Sequence, residues 1–153
     1  HIYVSTITEK NVQDTSKVRT VLECMAIDSA SFPLSEAKLQ ELERIDREQH
    51  ELIATHPEDN LRFAELDREF HCAIAACCDN ASLIEFIQNI NNVMVRINVL
   101  SGTLPQNRQD ALIEHENIIA FLKKGQREFA KVALSEHLKH VEERMLSESK
   151  KER

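Results

Sequence analysis

Asp67 and His71 stand four residues apart in "LDREFHCAIA", a stretch with helical spacing of its apolar residues. On a helix they share a face with Phe63, Phe70 and Ile74, so a carboxylate and an imidazole point inward. Two further histidines are placed in the same way. His115 has Ala111, Leu112, Ile118 and Ile119 at i−4, i−3, i+3 and i+4, and His137 lies in the row Phe129, Ala133, His137, Val141, Met145. Left unpaired, each buried polar group costs roughly 1–3 kcal/mol. Four of them on the apolar faces of three helices therefore call for a shared partner, and a divalent metal is the economical one. Neutral imidazoles and a carboxylate suit Zn, Ni, Mn or Fe better than Ca or Mg, with zinc the first expectation. The i, i+4 pair supplies two ligands from one helix and facing helices supply the others, as metal sites in bundles are built. The spacing is neither a zinc finger nor HExxH.

The remaining histidines have ordinary explanations. His1 is terminal, and His56 precedes a proline. His50 neighbours Asp46 and Arg47 as well as Ile53 and Ala54, which puts it at a boundary. His140 sits among Glu136, Glu143 and Arg144 on a solvated face. The cysteines, Cys24, Cys72, Cys77 and Cys78, form no CxxC pair and read as reduced, largely buried thiols.

The elements that must position these groups are helices. The chain has 153 residues, enough for one domain with a core, and its two glycines, three prolines, single Tyr and lack of Trp argue against sheet. The pattern predicts an all-α antiparallel bundle of six or seven helices. Six are legible: about 11–29, with Val18, Val21, Leu22, Met25 and Ala26 on one side; 35–55, capped by Ser35 and stopped by His56-Pro57; a third from 58–60 to "CDNAS"; a fourth from Asn80 or Ser82 to Leu100; 107–124, closed by Gly125; and 126 to the charged tail. "SGTLPQ" is the clearest turn. No apolar run approaches 18 residues, so no membrane span is expected. The formal charge of −7 makes the surface a poor match for nucleic-acid phosphates.

Three stretches resemble one known family. "FAELDREFHCAIAACCDNASLIEF" is similar to the D-x-x-F-H…N-x-x-L segment of the FCD domain, the C-terminal effector-binding domain of FadR-subfamily GntR transcription regulators. "EHENIIAFLKKGQREFAKVALSEHLKHV" is similar to its second half, and "VRTVLECMAIDSA" to its first helix. The resemblance runs from about Lys17 to Leu146. It implies an effector-sensing, dimeric, cytoplasmic regulator domain and not an enzyme. In metal-binding members the ligands correspond to Asp67, His71, His115 and His137, the four that face analysis selects. The family places a winged helix-turn-helix domain upstream, so residues 1–9 ("HIYVSTIT" and Glu9, with no Met) are expected to be a linker or the remnant of that domain. Residues 10–153 would then be the effector-binding and dimerisation domain, with DNA read only by the absent N-terminal part. "SASFPLSEA" replaces the usual alanine-rich end of the first helix, so the loop there is expected to differ.

The expected effector is a small organic acid whose carboxylate fills an open metal position, clamped by Arg19 and Arg96. Its binding would shift the dimer between two arrangements and so alter DNA affinity. Two alternatives remain at this level: a metal-dependent enzyme, for which Glu69, Glu114 and Glu116 are the nearest bases but point away from the ligands on their own helices, and a metal-free acyl-CoA sensor.

Overall fold

In the computed structural model, which describes residues 8–101 and 105–151, six helices account for most of the described residues: α1 Glu9–Ser29, α2 Glu36–Thr55, α3 Asn60–Ala75, α4 Ala81–Ser101, α5 Pro105–Lys123 and α6 Arg127–Lys151. The helix starts follow local chemistry. Thr8, Ser35 and Asp59 have side-chain oxygens that accept from the backbone N–H of Asn11, Lys38 and Arg62, capping α1, α2 and α3. Asn80 does the same for Leu83 at the start of α4. Gly125 closes the α5–α6 connection at φ +70°, where an L side chain is strained. The turn expected at 101–106 and the N-terminal "HIYVSTI" fall wholly or largely outside the described residues.

Helix α3 packs against α1, α2 and α4; α5 packs against α2 and α6; α6 closes on α1. The main core joins α1, α2, α3, α5 and α6 through Ile27, Leu42, Ile45, Phe70, Ile74, Ile118, Leu122, Leu134 and Leu138. A second cluster gathers Val12, Met94, Ile97 and Met145 at the far end of α1, α4 and α6. Between these two, along the same helices, the buried residues turn polar: Arg19 and Glu23 on α1, Asn91 on α4, His137 on α6. The bundle thus has an apolar layer at each side of a polar belt.

One face assignment is corrected. Val18, Val21 and Met25 of α1 are about half exposed or more, while Val12, Ser16, Arg19, Glu23, Ala26 and Ile27 face inward. The physical reason is the belt: Arg19 and Glu23 are needed there to pair with groups on α3, and turning them inward carries Val18 and Val21 out. Phe129, placed by spacing in the inward row of α6, is likewise exposed.

Candidate metal centre and effector cavity

The belt brings all four expected ligands together. His71, His115 and His137 are fully buried, Asp67 nearly so. Their inner atoms converge. His115 Nε2 lies 3.2 Å from His137 Nε2 and 3.3 Å from Asp67 Oδ1, and His71 Nε2 is 3.7 Å from the same carboxylate oxygen. One ligand atom from each of the three imidazoles falls within 4.8 Å of the others. The rings are fixed by packing: Phe70 stacks on His115 at 3.9 Å between centroids, and His71 lies parallel to His137 at 5.4 Å.

The outer nitrogen of every ring is held by an oxygen acceptor. Glu23 Oε1 accepts from His71 Nδ1 at 2.5 Å, Gln49 Oε1 from His115 Nδ1 at 3.0 Å, and Glu114 Oε1 from His137 Nδ1 at 2.6 Å. A carboxylate only accepts, so the proton of His71 and of His137 is on Nδ1, and the same assignment suits His115 facing the Gln49 oxygen. Neutral rings of this tautomer turn three Nε2 lone pairs and one carboxylate toward a common point with no donor among them.

Protons are a poor remedy. Burial pushes the His137 imidazole down to about 3 against the pull of Glu114, and burial lowers His115 despite Asp67. Burial also works against the Asp67 carboxylate, but the neighbouring His71 and His115 imidazoles and the Arg19 guanidinium outweigh it and hold Asp67 well below the usual carboxylate range. His71 Nε2 is shut off from water with no hydrogen-bond partner. An orphaned imidazole nitrogen among two other imidazoles and a carboxylate is the donor set a divalent transition metal takes, so these residues fit the ion. The outer acceptors are the groups that orient metal-binding histidines.

Two of these outer residues are joined to further charge. Glu23 also accepts from Arg19 Nε at 2.8 Å, and Arg19 Nη2, buried and without a hydrogen-bond partner, lies 3.9 Å from Asp67 Oδ2. Glu114 accepts from Arg144 at 2.7 and 3.0 Å and from His140 at 2.9 Å. Burial raises Glu114, but His137 and Arg144 more than offset it, so its carboxyl sits far below the ordinary value.

Sequence reasoning missed Glu23, Gln49 and Glu114. Glu114 does point away from its neighbour His115, yet it reaches His137 on the next helix. The one local signal was the i, i+4 pair Arg19–Glu23 in the same helical row as Ala26 and Ile27.

A cavity of about 40 Å³ opens beside Asp67, lined by Phe63, Asn98, Arg108, Arg144 and Met145 among others. Of the two expected effector clamps, Arg19 is buried beside Asp67 and does not line the cavity. Arg96 is exposed on α4 and does not line the cavity. Arg108 and Arg144 are the cavity's cations; the Arg108 guanidinium donates to Pro57 O and Asn60 Oδ1 and lies over the Phe63 ring.

The molecule is thus an all-α bundle in which three buried imidazoles and one carboxylate converge beside a small cavity. The FCD domain model matches residues 14–140, and the chain belongs to that family, the effector-sensing domain of GntR-family transcriptional regulators. It is similar to the HTH-type transcriptional regulator YdhC of Bacillus subtilis (27% identical over 145 residues, 90% of this chain and 64% of YdhC). It is also similar to the HTH-type transcriptional repressor RspR of Escherichia coli (25% over 141 residues, 92% and 61%). The chain therefore spans about three fifths of the length of these curated relatives. Among solved structures, a metal-free FCD domain of a transcriptional regulator superposes with a TM-score of 0.72 at 21% identity, covering 94% of this chain and 97% of that one. A GntR-family regulator from Pseudomonas syringae pv. tomato does so with a TM-score of 0.70 at 20%, covering 92% and 57%. No described helix is long and apolar enough to cross a membrane.

Proposed function

We propose that Asp67, His71, His115 and His137 hold a divalent transition metal, zinc first and Ni, Mn or Fe otherwise, and that this centre takes a small organic acid as effector. The observation that carries the reading is the set of three inward Nε2 lone pairs and one carboxylate without a donor, each ring fixed from outside by Glu23, Gln49 or Glu114. When bound, the metal supplies the local positive charge that orients a carboxylate. The chain's own part is positioning. Arg19 lies against Asp67 from the α1 side, and Arg108 and Arg144, held in place by Asn60 and Glu114, line the cavity wall as its positive charges.

The cavity's size favours a small acid over an acyl-CoA. About 40 Å³ is room for a carboxylate-sized group, whereas pockets for drug-sized ligands run to roughly 300–1,000 Å³. The glutamates weighed as catalytic bases are all engaged: Glu69 with Arg44 and Arg62, Glu116 with His50, Glu114 with His137, His140 and Arg144. That supports a sensor and not a metal-dependent enzyme.

The full protein, in this reading, is a cytoplasmic FadR-subfamily GntR regulator that acts on DNA through an N-terminal domain, as a homodimer. Effector binding would change DNA affinity only by its different affinity for two arrangements of that dimer.

The test is metal content of the purified chain by elemental mass spectrometry, with melting measured before and after chelation. At least one equivalent of Zn, Ni, Mn or Fe per chain, reduced by one in His115→Ala and in His137→Ala, is the expected result. No metal, and no stabilisation by any added divalent ion, overturns the reading. In the full-length protein, operator affinity that ignores every small carboxylic acid would overturn the effector part alone.

A further inference from the structure

A second group of metal-ligating side chains lies outside the buried centre. Asp46 and His50, four apart on α2, face Glu116 of α5, and one ligand atom from each falls within 4.8 Å of the others. His50 Nε2 is 2.5 Å from Glu116 Oε1 and 3.6 Å from Asp46 Oδ1. We propose that Asp46, His50 and Glu116 form a second, solvent-accessible divalent-metal site that bridges α2 and α5.

Two observations carry it. The donor set is one imidazole and two carboxylates, drawn from two elements, which suits Zn, Ni or Mn with water in the remaining positions. The Asp46 oxygen aimed at the imidazole is itself excluded from solvent and has no hydrogen-bond partner, and His50 is too distant to supply one. A purely structural pair would need only His50 and Glu116; the third, unsatisfied ligand is what a cation explains.

The location links the site to the buried centre. Gln49 precedes His50, and His115 precedes Glu116; Gln49 Oε1 is the acceptor that orients His115 Nδ1. An ion on Asp46, His50 and Glu116 would therefore clamp the two backbone segments that hold that contact. His50 and Glu116 are each about half exposed, so substituting them leaves the core intact.

The experiment is equilibrium dialysis of the chain against Zn²⁺ with elemental counting, for the parent, His50→Ala and Glu116→Gln, with circular dichroism as the folding control. The expected count is two Zn²⁺ per chain in the parent and one in each variant. A count that His50→Ala leaves unchanged overturns the second site, whether the parent holds one ion or two. A parent that holds one ion and loses it in His50→Ala keeps this site and overturns zinc at the buried one. A parent that binds none overturns this site and zinc at the buried one.

Discussion

Glu23→Gln is the most informative single change. Glu23 is fully buried on α1, accepts from Arg19 Nε at 2.8 Å and from His71 Nδ1 at 2.5 Å, and burial's penalty on its carboxylate is outweighed by those two partners, so its carboxyl is held below the ordinary value. Glutamine has nearly the same shape but one oxygen fewer. Whichever way the amide turns, an NH2 faces either Arg19 Nε–H or His71 Nδ1–H, and the Arg19 charge loses its close counter-ion. Asp67, 3.9 Å away, compensates only in part. Breaking a buried pair in this way costs roughly 3–5 kcal/mol. At roughly 2–4 °C per kcal/mol for a chain of this size, melting should fall by about 6–20 °C. The assay is thermal and urea unfolding in excess chelator, run as a cycle with Arg19→Met and the double variant. Removing both partners removes both charges of the Arg19–Glu23 pair and leaves only the more distant Asp67 without its cation, so the double should be less destabilised than the sum of the singles by more than about 1 kcal/mol. Zinc affinity of Glu23→Gln should drop by roughly 10–100-fold, the usual consequence of losing a histidine's outer partner. A cost below about 1 kcal/mol, or strict additivity in the cycle, would refute the view that this carboxylate holds both groups in place.

Acid should destabilise the metal-stripped chain well before ordinary carboxylates titrate. His137 is held to about 3 in the folded chain against 6.5 for an ordinary histidine, so between those values the unfolded chain binds the extra proton and stability falls as pH falls. This one group should remove about 2 kcal/mol between neutral pH and about pH 5, read as a lower urea midpoint. Phe70→Ala deletes a fully buried ring that also stacks on His115 and should cost about 3–5 kcal/mol by denaturant unfolding, with weaker zinc binding because His115 gains freedom. Gly125→Ala meets no atom within 4 Å, so its cost, about 1–2 kcal/mol by thermal melting, should come from the positive φ alone.

The convergence of Asp67, His71, His115 and His137 was legible because each stands out against its own helix: an imidazole or carboxylate in an apolar row is visible within one turn of sequence. The same local rule found the caps at Ser35 and Gly125, where the deciding contact spans only a few residues. It failed wherever the deciding contact is between helices. On α1, Val18, Val21 and Met25 make the more hydrophobic stripe, yet the helix buries Arg19 and Glu23, because α3 carries a histidine and an aspartate that need them. Glu114 points away from His115 on its own helix, yet it is the acceptor for His137, 23 positions away. Gln49 carries no signal in its own helix at all. The pattern follows from what each shell requires. An inner ligand must be a rare donor type on an inward face, so residue type alone betrays it. An outer acceptor can be any oxygen the fold delivers to a ring nitrogen, so only the pairing of faces reveals it, and that pairing was never local.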